Sequence, residues 1–249
     1  MKNISSQEMQ KVLFITGGSK GIGKALLHKF LCNGFFCVNF SRSSSQINNE
    51  NLKEVYVDLS DNQGFLNEFQ KNISQIDITN CKQLILINNA GLINPIDYVG
   101  DLTSKKILDS FSVNLTSPVL LTNSFLKNFQ DKNMEKYIVN ISSGAANYAI
   151  QSWSIYCSAK ASLDMFSKVL NEEQQFRPFP FKVITFYPGK VDTSMQSTIR
   201  DVPKDRFKDV DIFKQAKIEG KLLTPKYVSN QIFDSIFDST NIELIRRVV

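Results

Sequence analysis

The sequence predicts a single α/β domain built on a doubly wound parallel sheet. Three observations predict it. Short apolar runs alternate with amphipathic stretches at fairly even intervals along 249 residues. One run, Gln83–Asn88, is apolar at nearly every position, the pattern of a strand covered on both faces. Repeated strand–helix–strand order then implies parallel strands joined by right-handed crossovers. A composition that is 42% apolar and 21% charged supplies one sizeable core and argues against disorder.

The elements follow in order. Lys11–Thr16 is a short buried strand, followed by a glycine-rich turn and a helix over 22–32 that Gly34 stops. Strands are predicted over 35–40 and 54–57, and a helix over 61–76 carries Phe65, Phe69 and Ile73. After Gln83–Asn88 comes a helical pattern over 102–129, interrupted near Pro118. A strand over 136–141, a long helix over 154–176 and a strand over 181–187 follow. A polar insertion over 194–222 precedes a last helix over 225–237 and a short strand from Ile242 to Arg246. That makes about seven strands. No linker, repeat or low-complexity stretch divides the chain, so residues 1–249 read as one domain.

Composition narrows the function. There are 29 Lys and Arg against 24 Asp and Glu, a net charge of +5, and the basic residues are scattered among acids rather than clustered, which argues against nucleic-acid binding. His28 is the one histidine, so a His-rich metal site and any two-histidine mechanism are excluded, and no metal is expected. Cys32, Cys37, Cys81 and Cys157 form no C-x-x-C pair and fit free thiols better than a disulfide frame. The polar stretch 1–11 is unlike a signal peptide and no apolar run reaches the length of a membrane span. A soluble cytoplasmic protein without membrane contact is the expectation.

Thr16-Gly17-Gly18-Ser19-Lys20-Gly21-Ile22-Gly23 sits between the first strand and helix. Glycines there permit a tight turn and let backbone approach a pyrophosphate, where the free N–H groups and dipole of the helix favour an anion. The spacing of Gly17, Gly21 and Gly23 is G-x-x-x-G-x-G. The end of the second strand selects the dinucleotide. An acid there would bind a ribose 2′-hydroxyl; this chain has Arg42 instead, nineteen residues after Gly23 and followed by Ser43. A guanidinium can give a 2′-phosphate two charge-assisted hydrogen bonds, and Lys20 adds a second positive charge. The expected cofactor is therefore NADP(H).

Further polar features end later strands: Asn88-Asn89-Ala90-Gly91, then Ser142-Ser143, then Tyr156 and Lys160 four apart on the long helix and so on one of its faces. The set T-G-x-x-x-G-x-G, N-N-A-G, Asn114, Ser143 thirteen residues before Tyr156, Tyr156-x-x-x-Lys160 and Pro188-Gly189 resembles the short-chain dehydrogenase/reductase family over nearly the whole chain. A second tier is similar to the subgroup that holds sepiapterin reductase and bacterial benzil reductase. It comprises Trp153-Ser154-Ile155-Tyr156-Cys157, Asn171-Glu172-Glu173-Gln174 and Pro188 through Gln196, with the stretch from Phe207 to Leu222.

The resemblance implies a Rossmann-type fold and hydride transfer from NADPH to a small-molecule ketone or diketone. Tyr156 would be the general acid, Ser143 would hold the carbonyl oxygen, Lys160 would hold the nicotinamide ribose, and Asn114 would anchor a water relaying protons to Lys160. A phenol titrates near 10, so working at neutral pH takes about 3–4 kcal/mol, which Lys160 and the cofactor's developing positive charge are expected to supply. Gly17, Ser19, Lys20, Gly21, Ile22 and Gly23 would hold the pyrophosphate side. Asn89, Ala90 and Gly91 would line the adenosine ribose, with Asp58 and Leu59 near the adenine. Pro188, Gly189, Val191 and Thr193 would position the nicotinamide amide.

Tyr148, Ile150, Trp153, Met195 and Phe213 are candidates to line the substrate pocket, with Ile93 opposite; Tyr148 and Trp153 read equally well as core or interface packing. Sepiapterin reductases carry an acid near the C-terminus. Here that stretch is Leu244-Ile245-Arg246-Arg247, with Glu243 out of register, which favours a carbonyl or diketone over a pterin. Residues 194–222 are expected to form a mobile substrate lid, the alternative being a rigid surface helical pair. The family likeness also admits a 3-oxoacyl-carrier-protein reductase or a non-catalytic dinucleotide sensor. It further implies a homodimer or homotetramer packed through the helix after Leu102 and the Tyr156 helix, on which Leu163, Phe166, Val169 and Leu170 fall on more than one side.

Overall fold

The computed structural model describes residues 10–241 and 243–248. Residues 1–9 of the polar N-terminal stretch, and Ile242 at the predicted start of the last strand, lie outside the described residues. Seven parallel strands form one sheet in the order β3-β2-β1-β4-β5-β6-β7. They are β1 (Lys11–Thr16), β2 (Phe36–Ser41), β3 (Leu52–Tyr56), β4 (Gln83–Asn88), β5 (Glu135–Ile141), β6 (Lys182–Tyr187) and β7 (Ile245–Arg247). β1 is central, pairing Val12 with Phe36 of β2 on one side and with Leu84 of β4 on the other. The chain order reverses at that point, which opens a crevice beyond the carboxyl ends of β1 and β4.

Side chains alternate across the sheet, so each strand feeds two cores. Val12 and Phe14 of β1 and Leu84 and Leu86 of β4 join Phe69 of α2 (Asn62–Ser74), Phe125 of α4 (Ser117–Phe129) and Leu170 of α5 (Ser154–Gln174). Leu13, Ile15, Ile85 and Ile87 face the other way, onto Leu27 and Phe30 of α1 (Gly21–Cys32) and Val228 and Ile232 of α8 (Pro225–Ile236). Gly34 closes α1 with a positive φ of 76°, its N–H bonded to the Leu31 carbonyl at 3.1 Å. Asp61 caps α2 by accepting from the Gly64 N–H at 3.0 Å, and Thr224 caps α8 by accepting from the Tyr227 N–H at 3.1 Å.

The predicted interruption near Pro118 is a π-helical turn, Ser112–Thr116, through which α3 (Ser104–Phe111) runs into α4. Pro118 comes just after that turn and has no N–H to donate back into it, which accompanies the local break in regular helical bonding. The polar insertion folds as α6 (Ser194–Arg200) and α7 (Val210–Ile218). Lys136, 1% exposed, donates to the carbonyls of Phe129 and Gln130, satisfying the C-terminal end of α4 from the neighbouring strand.

Phe125 is fully buried, with Phe14, Phe129 and Phe181 rings at 5.4, 4.9 and 5.9 Å. Phe125→Ala leaves a cavity between sheet and helices, so urea unfolding should show a loss of about 3–5 kcal/mol at an unchanged m-value.

Candidate active site

The crevice is built from the glycine turn upward. Gly17 takes a φ of +72°, which an L side chain rarely adopts, and a Cβ on Gly23 would lie 2.2 Å from the Gly17 carbonyl oxygen. α1 begins with no side-chain cap and no acid in its first turn, so its leading N–H groups face the crevice end uncontested. Those features suit the pyrophosphate of a dinucleotide. Ser19 and Ile22 are half-buried beside the turn, while Lys20, Arg42 and Ser43 are exposed at its rim. The Ser60 N–H holds the Asp58 carboxyl below the usual carboxylate range, with the Arg42 charge adding a smaller pull. Leu59 is buried behind it, its carbonyl accepting from the Ser117 hydroxyl at 2.8 Å.

Two residues brace this turn that the sequence reading placed differently or passed over. The Asn89 side chain donates to the carbonyls of Thr16, at 2.9 Å, and Gly17, at 3.2 Å, so its amide holds the turn from below. Thr16, absent from the predicted set, accepts from the Asn89 and Ala90 N–H groups at 3.1 Å each. Its hydroxyl at the end of an apolar strand was the available signal. Gly91 faces the crevice, where a Cβ would stand 3.5 Å from Asn114 Oδ1 and 3.6 Å from Met195 Cε.

Ser143, Tyr156 and Lys160 converge. Ser143 follows β5, and its hydroxyl accepts from the Ala145 N–H at 3.1 Å. Tyr156 is 6% exposed in the first turn of α5, and Lys160, 3% exposed, donates from Nζ to the Ile141 carbonyl at 2.8 Å. The ammonium lies 5.8 Å from the centroid of the Tyr156 ring. Burial pushes the phenol up to about 12, with the Ser143 hydrogen bond pulling weakly the other way. Burial likewise draws Lys160 down to about 8, and the nearby Asp164 carboxylate opposes that. The expected downward shift rests on Lys160 together with the cofactor's developing positive charge; within the protein itself burial moves the phenol up. Lys160 gives one of its three N–H groups to the Ile141 carbonyl, and removal of water is the largest influence on the phenol.

Asn114 sits fully buried in the π-helical turn. Both side-chain N–H groups are taken, by the Leu92 carbonyl at 2.7 Å and the Ser110 hydroxyl at 3.2 Å, and Oδ1 accepts from the Leu92 N–H at 3.0 Å. Its amide clamps the loop after β4, which leaves the main chain of the turn, where regular helical bonding breaks, as the part able to serve a relay. Asp164, one turn beyond Lys160 and 5% exposed, accepts from the Tyr187 hydroxyl, which accepts in turn from Asn147 at 2.9 Å. A carboxylate four residues after a motif lysine, on the same helix face, was the sequence signal for it.

The loop after β6 closes the far wall. Gly189 has a φ of +76°, Pro188 is half-buried, and Val191 is 4% exposed and bridged to Leu223. Thr193 at the start of α6 lies against the glycine turn, its Cγ2 3.2 Å from where a Gly21 Cβ would be. Trp153 is buried edge-on to Tyr156 at 5.7 Å and stacked on Phe207 at 5.5 Å, with Phe213 also at 5.5 Å. Ile93, Ile150 and Met195 belong to the same cluster. Tyr148 does not: it is 64% exposed. Arg206 fastens the insertion down, donating to Asp97 and Asp101 at 3.0 Å each, while its carbonyl accepts from Ser152.

Among the described residues no group of three or more His, Cys, Asp or Glu could hold a metal ion, and no helix is long and apolar enough to cross a membrane.

The profile of the short chain dehydrogenase family matches residues 11–204. Benzil reductase ((S)-benzoin forming) of Bacillus subtilis (strain 168) is 34% identical over 230 residues, 92% of this chain and 95% of that protein. Sepiapterin reductase of Xenopus tropicalis is 30% identical over 208 residues, 77% of this chain and 78% of that protein. Among solved structures of the same fold, 4-hydroxyisoleucine dehydrogenase complexed with NADH superposes with a TM-score of 0.79 at 22% identity, covering 96% of both chains. ElxO with NADP bound superposes with a TM-score of 0.76 at 21% identity, covering 96% of this chain and 97% of that one.

The buried lysine gives a stability test. Between about 8 and 10.5 the unfolded chain keeps the Lys160 proton and the folded chain has lost it, so stability rises with pH there. Measured by urea unfolding, wild type should gain about 3 kcal/mol relative to Lys160→Met across that window and nothing below it.

Proposed function

The chain belongs to the short-chain dehydrogenase family, and on that premise we propose that it is an NADPH-dependent carbonyl reductase acting on ketones or diketones. The observation that carries this reading is the convergence of Ser143, Tyr156 and Lys160 in one water-poor corner beside the glycine turn. When bound, the cofactor supplies the hydride and, once oxidised, a positive charge that favours the phenolate. The Ser143 hydroxyl and the Tyr156 phenol donate to the carbonyl oxygen and orient it. The phenol proton passes to that oxygen as it becomes an alkoxide. A phenol held high by burial keeps its proton until then, which suits a general acid for reduction. Lys160, anchored to the Ile141 carbonyl, restrains the ribose and keeps its charge close to the ring.

Arg42, Ser43 and Lys20 support NADP(H) over NAD(H), because they are exposed together at the rim and no acid takes the place of Arg42. The substrate reading follows from the aromatic wall of Trp153, Phe207 and Phe213 beside Tyr156 and from the benzil reductase relative. At the C-terminus Glu243 is exposed, and buried Arg246 donates to its carbonyl, an arrangement that favours a diketone over a pterin. The insertion 194–222 acts as the lid, released when the Arg206 contacts with Asp97 and Asp101 open. Leu108 on α3 and Met165 and Val169 on α5, each at least half exposed, form the face through which copies associate.

Tyr156→Phe should lower kcat for benzil reduction by about 10²–10⁴-fold while leaving NADPH binding intact. Arg42→Ala should raise the Kd for NADPH by about 10–100-fold and leave that for NADH little changed, read by titration of cofactor fluorescence. A panel of aryl diketones, sepiapterin and acetoacetyl thioesters, followed by NADPH oxidation, tests the substrate class; turnover confined to the thioesters refutes it.

A further inference from the structure

β2 is apolar and buried throughout except for Asn39 and Ser41, and Asn39 is fully buried. Its Oδ1 accepts from the Gly18 N–H at 2.9 Å, inside the glycine turn. Its Nδ2 donates to Glu54 Oε2 at 2.7 Å, across the register pair that joins β2 to β3, and to the Ser41 hydroxyl at 3.1 Å. The other oxygen of Glu54 accepts twice from Ser45, from its N–H at 2.8 Å and from its hydroxyl. Ser45 is fully buried, and the Ser41 hydroxyl donates to the Ser43 carbonyl at 2.7 Å. Arg42, Ser43 and Ser44 are therefore an exposed arch with two buried feet: Ser45 bonds to the Glu54 carboxylate directly, and Ser41 is linked to it through Asn39.

We propose that Glu54 is a positioning residue for 2′-phosphate recognition: it fixes the Arg42–Ser43–Ser44 arch against the glycine turn so that both phosphate-binding elements are preset at the right separation. The proposal rests on the NADP(H) reading of Arg42. Presetting a loop matters because a flexible arch would be ordered only at the moment of binding, at the expense of affinity. The glycine turn keeps its own supports when Glu54 is removed, since Asn39 still bonds to Gly18 and Ser41, and Asn89 and Thr16 brace it independently. The effect is thus confined to the 2′-phosphate.

Its sign separates it from simple electrostatics. A carboxylate behind a phosphate site repels the phosphate, so neutralising it should tighten binding if charge were the only consideration. The brace demands the reverse. Glutamine retains an acceptor for Ser45 but sets an NH2 group against the NH2 of Asn39, whose oxygen is committed to Gly18, so Glu54→Gln should lose part of the effect and Glu54→Ala all of it.

The test is calorimetric titration of 2′,5′-ADP and 5′-AMP into wild type, Glu54→Gln, Glu54→Ala and Ser45→Ala. Wild type should bind 2′,5′-ADP the tighter. Glu54→Ala should weaken 2′,5′-ADP about tenfold and 5′-AMP less than about twofold, with Glu54→Gln intermediate. Ser45→Ala keeps the carboxylate and the backbone N–H bond but removes the hydroxyl bond at one foot, so it should follow Glu54→Ala in direction with a smaller loss, and it stands in should that variant not fold. Tighter or unchanged 2′,5′-ADP binding in the Glu54 variants overturns the brace, as does an equal loss for both nucleotides. Equal affinity of wild type for the two nucleotides instead overturns the NADP(H) reading itself, and the brace with it.

Discussion

Both faces of the sheet are sealed by helices, and that burial decides where polar chemistry can stand. Leu84 through Ile87 and Val12 through Ile15 have no exposed surface, so any group that must meet solvent or a ligand is displaced to the strand ends. The carboxyl ends of β1, β4, β5 and β6 deliver Gly17, Asn89, Ser143 and Pro188 to one crevice. α5, packed on the same face as α4, brings Tyr156 and Lys160 to it from the side. The site is what a parallel sheet buried on both faces leaves open at its switch point.

Several polar side chains that enter the interior bond to one another, and these runs tie the crevice together, although Asn88 Oδ1 and Asp164 Oδ1 within them stay without a partner. Asn88 donates to Asn140 at 2.8 Å and to Thr122 at 3.2 Å, and Asn140 donates to Ser167 at 2.8 Å. This run crosses from β4 through β5 to α5 just beneath the strand ends. Asp164, Tyr187 and Asn147 make a second run, linking the lysine helix to the loop that follows Ser143. Glu54 and Asn39 make a third under the adenosine side. An unpaired polar group in such surroundings is costly, so each run resists the small shifts that apolar packing would tolerate.

Electrostatics in the corner is set by water removal. Tyr156 and Lys160 are one helical turn apart, yet burial moves the phenol up and the ammonium down, each toward its neutral form. Opposite charge on a buried neighbour would have to overcome that desolvation, and the largest influence on each group is the removal of water. Asp164 favours the charged lysine from the other side. The corner therefore holds the phenol proton firmly, while burial and Asp164 pull the lysine in opposite directions.

Much of this was legible along the chain. Strand and helix order, the glycine turn and the pairing of Tyr156 with Lys160 follow from spacing between near neighbours, because a period of two or 3.6 residues and an i, i+4 pair are local properties, while Ser143 joined them through the family resemblance. Boundaries moved by a residue or two at most elements, and the interruption expected near Pro118 is the π-helical turn Ser112–Thr116, just ahead of a proline that cannot donate back into it. Only the tertiary structure decided the rest: that Asn39 meets Glu54, that Tyr187 meets Asp164, that Asn114 spends its amide on Leu92, that Tyr148 stands outside the aromatic cluster, and that burial holds the Tyr156 phenol high. Each depends on which strands lie side by side and on how much water their packing removes, and both are set by contacts between residues far apart in the chain.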